Sequence, residues 1–409
     1  MQPLNDIRVL AVTVFLAGPF LSMTLARFGA EVIKVEVPGL GDSMRGIGPF
    51  AGPEGVHPTP QTDQDVATRF MKRTQGVKSI TLNLKDPEGV RLFLELAKQS
   101  DVVIENLSPG SMKRLGLDYE AVAAVNPGIV YCSISGYGQT GPYATNPAHD
   151  HQIQAMGGMM DINGDPDGPP TRVGVFVSDL VTPLYSAYSI LAALRHKEKT
   201  GEGQYLDASM MDTLATLMFM EPLEEALAEG QPIRAGNNSR TNPTGLYRVK
   251  DADVIITVTN DDRWEKLCQG MDAPELLADA RFTTVPSRAE NLEALRQEIQ
   301  ERLGKMTCDE AVSRLEAADV PIAPVRTLGE VLHDDHFYQR GTLQPMRHFA
   351  SDEPAGNNVV VGFPITFSGK ALPNLPGAPT LGMHNEDVLG RLLDLGADQL
   401  RDLKDRGVI

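Results

Sequence analysis

The fold is decided by residues 6–36, which read DIRVLAVTVFLAGPFLSMTLARFGAEVIKVE. Residues 7–12 are an apolar run of strand length, and residues 32–35 are a second such run that is followed by an acidic position. Between them, Pro19 stands where the first turn of a helix tolerates proline, and apolar residues recur behind it at helical spacing. A strand, a helix and a strand in so short a stretch predict a βαβ unit with parallel strands.

The alternation of strands and helices continues beyond this unit. Asp86 and Pro87 are the residue types of an N-cap and a first helical position, so we expect a helix to begin there. Apolar runs at 102–104, 129–134 and 205–208 predict further strands. This order of elements favours an α/β fold with a mostly parallel sheet.

The composition changes after residue 224. Residues 225–340 hold a polar loop, a strand expected at 254–258 and several short charged helices, which together predict a smaller α+β domain. Residues 341–409 close on an amphipathic helix expected at 388–403. Because this last segment is too short to form a core of its own, we expect it to complete the large domain that begins with residues 1–224.

The charge and cysteine content exclude several classes of protein. The 409 residues carry 37 basic and 54 acidic side chains, a net charge of −17, which argues against nucleic acid as a partner. Three cysteines without a CxxC pair argue against a disulfide framework or a structural zinc site. The first twenty residues lack a basic segment, and Gly18 and Pro19 interrupt their apolar run. We therefore expect a cytoplasmic protein with no signal peptide and no membrane partner.

Two polar segments near predicted strand ends invite a functional interpretation. The turn 13–19, with Glu36 at the end of the next strand, has the layout of a dinucleotide site. That fingerprint needs three glycines, however, and only Gly18 is present, so NAD binding is disfavoured. The segment 149–151, His-Asp-His, is a polar loop, an acid/base pair or a metal site. Adjacent residues cannot all face one ion, which makes a metal the weakest of these alternatives.

Asp179 and Arg240 are the remaining candidates for chemistry. Asp179 stands where the N-cap of the following helix is expected, and a helix N-terminus stabilises an ionised carboxylate. A fixed carboxylate is also what nucleophilic catalysis requires, so a cap and a catalyst are compatible interpretations. Arg240 lies in the polar loop 236–243, which is either a solvated connection or a clamp that grips a carboxylate in a bidentate fork.

Taken together, a series of segments resembles the class III CoA-transferase family, which includes formyl-CoA transferase, carnitine CoA-transferase and α-methylacyl-CoA racemase. The resemblance covers almost the whole chain, in order. The segments that carry it are LAGPF (16–20), FGAEVIKVE (28–36), KSITLNLKDPEG (78–89), DVVIENLSPGSMKRLGLDYE (101–120), YCSISGYGQTGPYA (131–144), QAMGG (154–158), TGEGQYLDAS (200–209) and GAPTLGMHNEDVL (377–389).

This resemblance implies a fold and an assembly. It implies a Rossmann-like large domain built from both chain ends, a smaller domain between them, and two subunits interlocked like chain links. A homodimer is the expected form, and a heteromer is an alternative. The expected ligands are acyl-CoA and small carboxylic acids, with CoA as a substrate, no permanently bound cofactor and no metal.

The resemblance also implies site residues. Asp179, in VGVFVSDLVTPLYSA (173–187), corresponds to the family's nucleophile. Val37 departs from the family, because transferases often carry a basic residue there, and residues 74–77 depart from an Asn-Arg-Gly-Lys pattern. Asn238, Ser239 and Arg240 replace a glycine-rich loop over the substrate, and we expect Arg240 to contact the second carboxylate of a dicarboxylic substrate. The implied CoA contacts are Val14, Phe15, Leu16, Ala17, Val37 after Glu36, Lys78, Asn106, Leu107 and Arg114.

The implied function is CoA transfer from an acyl-CoA thioester to a carboxylic acid through an aspartyl anhydride and an aspartyl-CoA thioester. One alternative is a racemase or epimerase of 2-methylacyl-CoA, in which His149 with Asp150 and Asp179 move the α-proton as acid and base. A second alternative is a non-catalytic CoA-binding subunit of a heteromeric transferase. A nicotinamide-dependent oxidoreductase is disfavoured by the missing glycines.

Overall fold

The computed structural model describes residues 2–230, 233–351, 353–368, 372 and 374–409. The strands, in chain order, are β1 Arg8–Val12, β2 Glu31–Glu36, β3 Phe50–Gly52, β4 Gly55–His57, β5 Val66–Ala67, β6 Lys78–Thr81, β7 Val102–Glu105, β8 Val130–Ser135, β9 Gln204–Ser209, β10 Gly245–Arg248, β11 Asp253–Ile256, β12 Ile322–Pro324, β13 Leu343–Arg347 and β14 Pro354–Val361. The α-helices, in chain order, are α1 Ala17–Arg27, α2 Thr68–Met71, α3 Pro87–Lys98, α4 Ser111–Arg114, α5 Tyr119–Val125, α6 Asp150–Met156, α7 Met159–Ile162, α8 Val177–Thr200, α9 Met210–Met218, α10 Leu223–Ala228, α11 Asp261–Gly270, α12 Glu275–Ala278, α13 Val285–Glu290, α14 Leu292–Leu303, α15 Cys308–Ala317, α16 Leu328–Leu332, α17 Asp335–Gln339, α18 Asn385–Leu393 and α19 Ala397–Asp405.

In the part of the chain that the structure describes, six strands form one parallel sheet in the order β6-β2-β1-β7-β8-β9. Val9 of β1 lies opposite Val32 of β2 on one side and opposite Val102 of β7 on the other. The chain therefore builds one half of the sheet first and then crosses to the other half, so the strand order reverses between β1 and β7. The predicted α/β class with a parallel central sheet is confirmed.

Helices cover this sheet. Leu10, Ile33, Val103 and Tyr131 are buried in one cluster with side chains from α3, α5, α18 and α19. Because successive residues of a strand point to opposite faces, their neighbours along each strand face the other way. Helix α8 contacts α1, β8 and β9. The helix expected at Asp86 is confirmed, since Asp86 Oδ1 caps α3 by accepting from the main-chain N–H of Glu88 at 2.8 Å.

The single helix expected at 388–403 is wrong. Two helices, Asn385–Leu393 and Ala397–Asp405, occupy this stretch. Asp394 adopts a φ of +57°, which ends the first helix, and Gly396 is the N-cap of the second. Both helices place apolar residues in the same core cluster, so one amphipathic pattern runs through the break and hides it.

The chain divides into two compact units. The larger one comprises Met1–Gly157, Gly174–Met218 and Asp335–Ile409 and contains the parallel sheet. The smaller one comprises Gly158–Val173 and Phe219–Asp334, and it contains the antiparallel sheet β10-β11-β12 with a core of its own. The segment Gly158–Val173 was not predicted to belong to the smaller unit, although its stretch NGDPDGPP (163–170) is rich in residues typical of turns and boundaries.

Among the residues that the structure describes, one helix, α8, is long and apolar enough by composition to cross a membrane. In its most apolar window, 44% of the residues are buried inside the protein, and core helices of soluble proteins pass the same test. Leu184, Tyr188 and Leu191 remain exposed on this helix. Their spacing of four and three residues puts them on one face, which forms an apolar stripe.

Candidate functional site

A cavity of about 460 Å³ opens at the carboxyl ends of β1, β7 and β8. Its wall consists of the loop after β1, the loop after β7, the end of β8 and the first residues of α6 and α8. All its lining residues belong to the larger unit. The cavity lies where the strand order reverses, which is where open parallel sheets bind their ligands.

The loop after β1 forms one side of the cavity, and Asn106 holds it. The main-chain N–H of Val14 donates to Asn106 Oδ1 at 2.8 Å, and Asn106 Nδ2 donates back to the Val14 carbonyl at 3.0 Å. Gly18 is required beside this bridge, because a Cβ there would lie 2.7 Å from Asn106 Oδ1. The residues from Val14 to Ala17 thus share the cavity wall with Asn106 and Leu107.

A buried polar cluster fixes the path of the same loop. Lys34 Nζ donates to the carbonyl of Thr13 and to Asp42 Oδ2, the latter at 3.1 Å. Asp42 Oδ1 accepts from the main-chain N–H groups of Phe15 at 3.3 Å and of Met44 at 3.0 Å. Phe15 needs such support because its φ of +64° lies in the left-handed region that non-glycine residues rarely adopt.

Asp179 lies on the cavity wall as the third residue of α8. The predicted N-cap position is wrong, because the helix begins two residues earlier, at Val177. The carboxylate of Asp150 serves this helix end instead. Its Oδ1 accepts from the main-chain N–H of Ser178 at 2.8 Å and from the Ser178 hydroxyl at 2.7 Å, while its Oδ2 accepts from Gln154 Nε2 at 2.6 Å. The group that caps α8 thus comes from another helix, where local sequence cannot reveal it.

The carboxyl of Asp179 is harder to ionise than that of an ordinary aspartate. Burial, and after it the negative charge of Asp150, raise the pKa of Asp179 to about 7 against the opposing effect of the Arg73 guanidinium. Arg73 is fixed in place because its Nη1 donates to the Phe15 carbonyl at 3.1 Å. A carboxyl that titrates near neutrality beside a fixed cation, in a cavity, is typical of a catalytic site.

The two histidines of the His-Asp-His segment line the same cavity. His149 is the N-cap residue of α6, and its ring meets that of Phe15 edge-on with centroids 5.7 Å apart. His151 meets Phe176 in the same way at 5.4 Å. Within the described ranges, no group of three or more His, Cys, Asp and Glu side chains is placed to hold a metal ion.

Of the residues expected to contact CoA, Val37, Lys78 and Arg114 lie outside the described wall of this cavity. Lys78 opens β6, at the amino end of the sheet, and its Nζ lies 3.1 Å from Glu31 and 2.7 Å from Asp387. Arg114 donates to a hydroxyl of its own short helix α4, and Val37 is exposed just after β2. The structure therefore does not bring these three together with Asp179.

The residues expected to contact substrate, Asn238, Ser239 and Arg240, belong to the smaller unit. They line a second cavity there, of about 470 Å³, together with Glu225. The guanidinium of Arg240 donates to the main-chain carbonyl of Ile233. The loop is also held by neighbouring elements, since the Arg296 guanidinium donates to the Ser239 carbonyl and the Leu246 N–H donates to Asn238 Oδ1 at 3.3 Å.

Five polar residues of the first cavity escape sequence-based prediction: Arg69, Arg73, Ser108, Ser135 and Asn146. The two arginines stand close together in TRFMKRT (68–74), and this pair of cations in one short segment was the available signal. Ser135 is the last residue of β8, and a polar residue at the carboxyl end of a parallel strand is a signal of the same kind. Its hydroxyl is buried and has no hydrogen-bond partner among the described residues.

Comparison with known proteins shows which family this chain resembles. The model of CoA-transferase family III matches residues 4–385 of this chain. Two curated relatives align over nearly their whole length. Succinyl-CoA:mesaconate CoA-transferase of Haloarcula hispanica is 36% identical over 395 residues, which cover 95% of this chain and 96% of that protein. Succinyl-CoA:glutarate CoA-transferase of Mus musculus is 32% identical and covers 100% of this chain and 91% of its own.

A solved structure agrees with these relatives. The crystal structure of a CAIB/BAIF family protein from Brucella suis superposes with a TM-score of 0.80 at 34% sequence identity. The match covers 95% of this chain and 99% of that one. The similarity therefore extends over both compact units.

Proposed function

This chain belongs to CoA-transferase family III, and from that premise we propose that it moves CoA from an acyl-CoA thioester to a dicarboxylic acid with Asp179 as the nucleophile. One observation carries the catalytic assignment: Asp179 lies on the wall of the cavity at the carboxyl ends of the strands, beside Arg73. Mesaconate and glutarate, the acceptors in the names of the two relatives, are both dicarboxylates, which supports the acceptor class.

The proposed reaction proceeds through two kinds of activated aspartyl group. Asp179 attacks the thioester carbonyl, the C–S bond breaks, and CoA thiolate leaves a mixed anhydride behind. The thiolate attacks the aspartyl carbonyl, which frees the donor acid and leaves an aspartyl-CoA thioester. The acceptor carboxylate attacks this thioester and expels the thiolate, which then attacks the acyl carbonyl of the new anhydride. The products are the new acyl-CoA and the free Asp179 carboxylate, and every bond broken is matched by one formed.

The cavity wall offers groups for each demand of this chemistry. The loop Val14 to Ala17, with Asn106 and Leu107, is the part of the predicted CoA site that lines the cavity, and we assign it to the CoA thioester. The unpaired Ser135 hydroxyl is available to donate to an oxyanion, and one such donor contributes about 3 kcal/mol in other acyl transfers. Arg73 favours the ionised form of the nucleophile.

The racemase alternative keeps one supporting observation, because His149 and Asp179 line the same cavity. The hydrogen bonds of Asp150 favour the transferase. Its carboxylate accepts from Ser178 twice and from Gln154 once, so it is engaged in holding the start of α8 rather than free to move a proton. We therefore assign Asp150 to positioning Asp179, and His149 remains the candidate acid or base of the alternative reaction.

We also propose a Rossmann-like fold, an assembly and a cellular location for this chain. The sheet order, in which β1 is central and the order reverses beside it, supports the Rossmann-like description. The exposed stripe Leu184, Tyr188 and Leu191 supports a dimer, which we propose to be an interlocked homodimer rather than a heteromer with a non-catalytic subunit. We propose a cytoplasmic enzyme without a resident cofactor, and native mass spectrometry is the direct check of its assembly.

Intact mass spectrometry tests the proposed function. The protein is incubated with succinyl-CoA and then with hydroxylamine, which converts an aspartyl anhydride or thioester to a hydroxamate. We expect one modification, located at Asp179 by peptide mapping, and we expect Asp179→Asn to lack it and to lose transfer activity by at least about 10³-fold. Asp398→Asn, which removes an exposed carboxylate from α19, is the matched control and should behave as the wild type.

A different pattern would contradict this function. If no acyl-CoA modifies Asp179 and a 2-methylacyl-CoA exchanges its α-proton with deuterium from the solvent, the racemase is the correct assignment. If neither reaction occurs with any acyl-CoA that binds, the chain is a non-catalytic subunit.

A further inference from the structure

Two arginines lie on the wall of the cavity that holds Asp179, and they differ in what they contact. Arg73 donates to the Phe15 carbonyl at 3.1 Å, and its charge interacts with those of Asp179 and Asp42. Arg69, on the short helix α2, is exposed and makes no hydrogen bond or ion pair with any other residue that the structure describes. The positive charges of Arg69 and Arg73 repel each other. The cavity therefore holds a guanidinium that has no anionic partner among the described residues.

Acylation of Asp179 makes the charge of the cavity wall still more positive. Asp179 is negatively charged only as the free carboxylate, and both the anhydride and the thioester on Asp179 are neutral. The nearby carboxylates have other partners, since Asp42 is engaged by the buried ammonium of Lys34 and Asp150 by the hydrogen bonds of Ser178 and Gln154. When Asp179 is acylated, the wall near it carries two positive guanidinium groups and loses the negative charge that faced Arg73. An anion bound there at that moment is favoured by both arginines.

We propose that Arg69, with Arg73 beside it, forms a subsite in this cavity that holds the second carboxylate of a dicarboxylic substrate. A guanidinium is suited to this task, because its planar N–H groups match a carboxylate with two parallel hydrogen bonds. The subsite rests on the function proposed above and adds the residues that select a dicarboxylic substrate. It places the selecting arginine in the same unit as Asp179, whereas Arg240, the residue expected from the sequence, belongs to the smaller unit.

The subsite distinguishes acids by their second charge. A monocarboxylate uses its single carboxylate to attack the aspartyl thioester and leaves Arg69 without a partner. A dicarboxylate of the same chain length attacks with one end and offers the other end to Arg69. Removal of Arg69 should therefore penalise dicarboxylates and spare monocarboxylates.

Acceptor kinetics with matched acids test this inference. Glutarate and pentanoate have the same chain length and differ by one carboxylate. For Arg69→Gln, we expect kcat/KM for glutarate to fall ten- to hundredfold, mostly through KM, while kcat/KM for pentanoate changes by less than threefold. Where pentanoate is turned over too slowly, the competitive inhibition constants of the two acids are compared instead. Arg69→Lys, which keeps the charge but not the fork, should recover part of the loss.

Two control variants accompany these measurements. Arg401→Ala removes an exposed arginine of α19 that pairs only locally, with Asp398, and it should leave both acids unaffected. Arg240→Ala tests the residue predicted from the sequence, and a dicarboxylate-selective loss confined to this variant would overturn the assignment to Arg69.

Other outcomes separate failure of the subsite from failure of the function. Equal losses for both acids in Arg69→Gln, or a raised inhibition or Michaelis constant for an acyl-CoA that has no second carboxylate, such as butanoyl-CoA, would assign Arg69 to CoA binding and overturn the subsite. In that case hydroxylamine trapping at Asp179 still succeeds in Arg69→Gln. Loss of the trapped adduct in the wild-type protein itself would instead overturn the proposed function.

Discussion

Two groups of buried carboxylates near the loop after β1 have opposite electrostatic character. In the first, which we call the paired cluster, Glu36 accepts from Arg45 Nε at 2.8 Å, from Arg45 Nη2 at 2.7 Å and from the Ser79 hydroxyl at 2.7 Å. Burial by itself would raise the pKa of Glu36, but the bonds from Arg45, the charges of Lys34 and Arg45 and the bond from Ser79 hold it below its usual range. Asp42, paired with Lys34, completes this cluster.

The second group, the cavity cluster, consists of Asp150 and Asp179. Asp150 accepts hydrogen bonds from Ser178 and Gln154. Asp179 is largely shielded from solvent and lies near the negative charge of Asp150 and the positive charge of Arg73. Its pKa rises to about 7, whereas that of Glu36 falls. A carboxylate whose acceptor sites are filled is a structural element, and one that lacks partners is available to react.

The largest expected effect is on stability and concerns the paired cluster. Lys34→Met removes the ammonium that joins Asp42 to the Thr13 carbonyl and leaves a buried carboxylate unpaired, so we expect the free energy of unfolding to fall by about 3–5 kcal/mol. Urea denaturation followed by circular dichroism measures this. Lys98→Met, which breaks the exposed pair with Glu95, should cost less than about 1 kcal/mol. Equal losses for the two variants would remove the distinction between the clusters.

The pH profile of the reaction probes the cavity cluster. The nucleophile is the ionised carboxylate, and its raised pKa means that the ionised fraction grows as the pH rises through about 7. We expect kcat/KM for the acyl-CoA to fall about tenfold per pH unit below that value and to level off above it. Measurement from pH 5 to pH 9 checks this, and a profile that is flat down to pH 5 would contradict the raised pKa.

A control is needed because burial also raises the pKa of Glu105 to about 7. Glu105 accepts from the Leu107 main-chain N–H at 2.9 Å and lies outside the described cavity wall. Asp150→Asn removes the negative charge that faces Asp179 and should move the midpoint to lower pH. An unmoved midpoint would assign the titration to Glu105.

The smallest expected effect concerns Ser135, whose buried hydroxyl lacks a partner among the described residues. Ser135→Ala should leave the melting temperature unchanged or slightly higher, because the hydroxyl has no hydrogen bond to lose within the described residues, and should lower kcat by roughly tenfold, because we assign this hydroxyl as an oxyanion donor. Ser100→Ala is the matched control, since the Ser100 hydroxyl donates to the Leu96 carbonyl at 2.8 Å, away from the cavity. The control should lose about 1 kcal/mol of stability and no activity, and the reverse pattern would contradict this interpretation.

Much of the fold follows from local pattern. The βαβ start, the N-cap Asp86 and the strands near residues 102, 130 and 205 are where apolar periodicity and capping residues predict them. The helix break at Asp394 and the start of α8 at Val177 were not predicted, because the neighbouring sequence does not indicate either of them. In the first, one apolar pattern spans two helices. In the second, the cap comes from Asp150, 28 residues earlier.

The candidate site, too, was predicted only in part from the sequence. Asp179, His149 and Asp150, the loop Val14 to Ala17 and the pair Asn106 and Leu107 were all named from the sequence, and they line one cavity. Lys78 resembles the family's pattern equally well, yet it lies at the amino end of its strand and pairs with Glu31 and Asp387. Periodicity reports that a residue belongs to a strand, but not which charged neighbours the crossing of distant segments will bring to it.

By itself, the sequence determined the α/β class and the order of the strands along the chain, because these depend on side-chain type and on the spacing of nearby residues. The resemblance to a family supplied the candidate residues for the chemistry. Only the tertiary structure decided which buried carboxylates are paired with a cation and which one, Asp179, is not fully balanced by positive charge. The pKa of Asp179 depends on burial, on Asp150 and on Arg73, and these come from separate segments that only folding brings together. The position of the Arg69 guanidinium on the cavity wall, with no ion pair to any described residue, likewise follows from the three-dimensional neighbourhood and not from the local sequence.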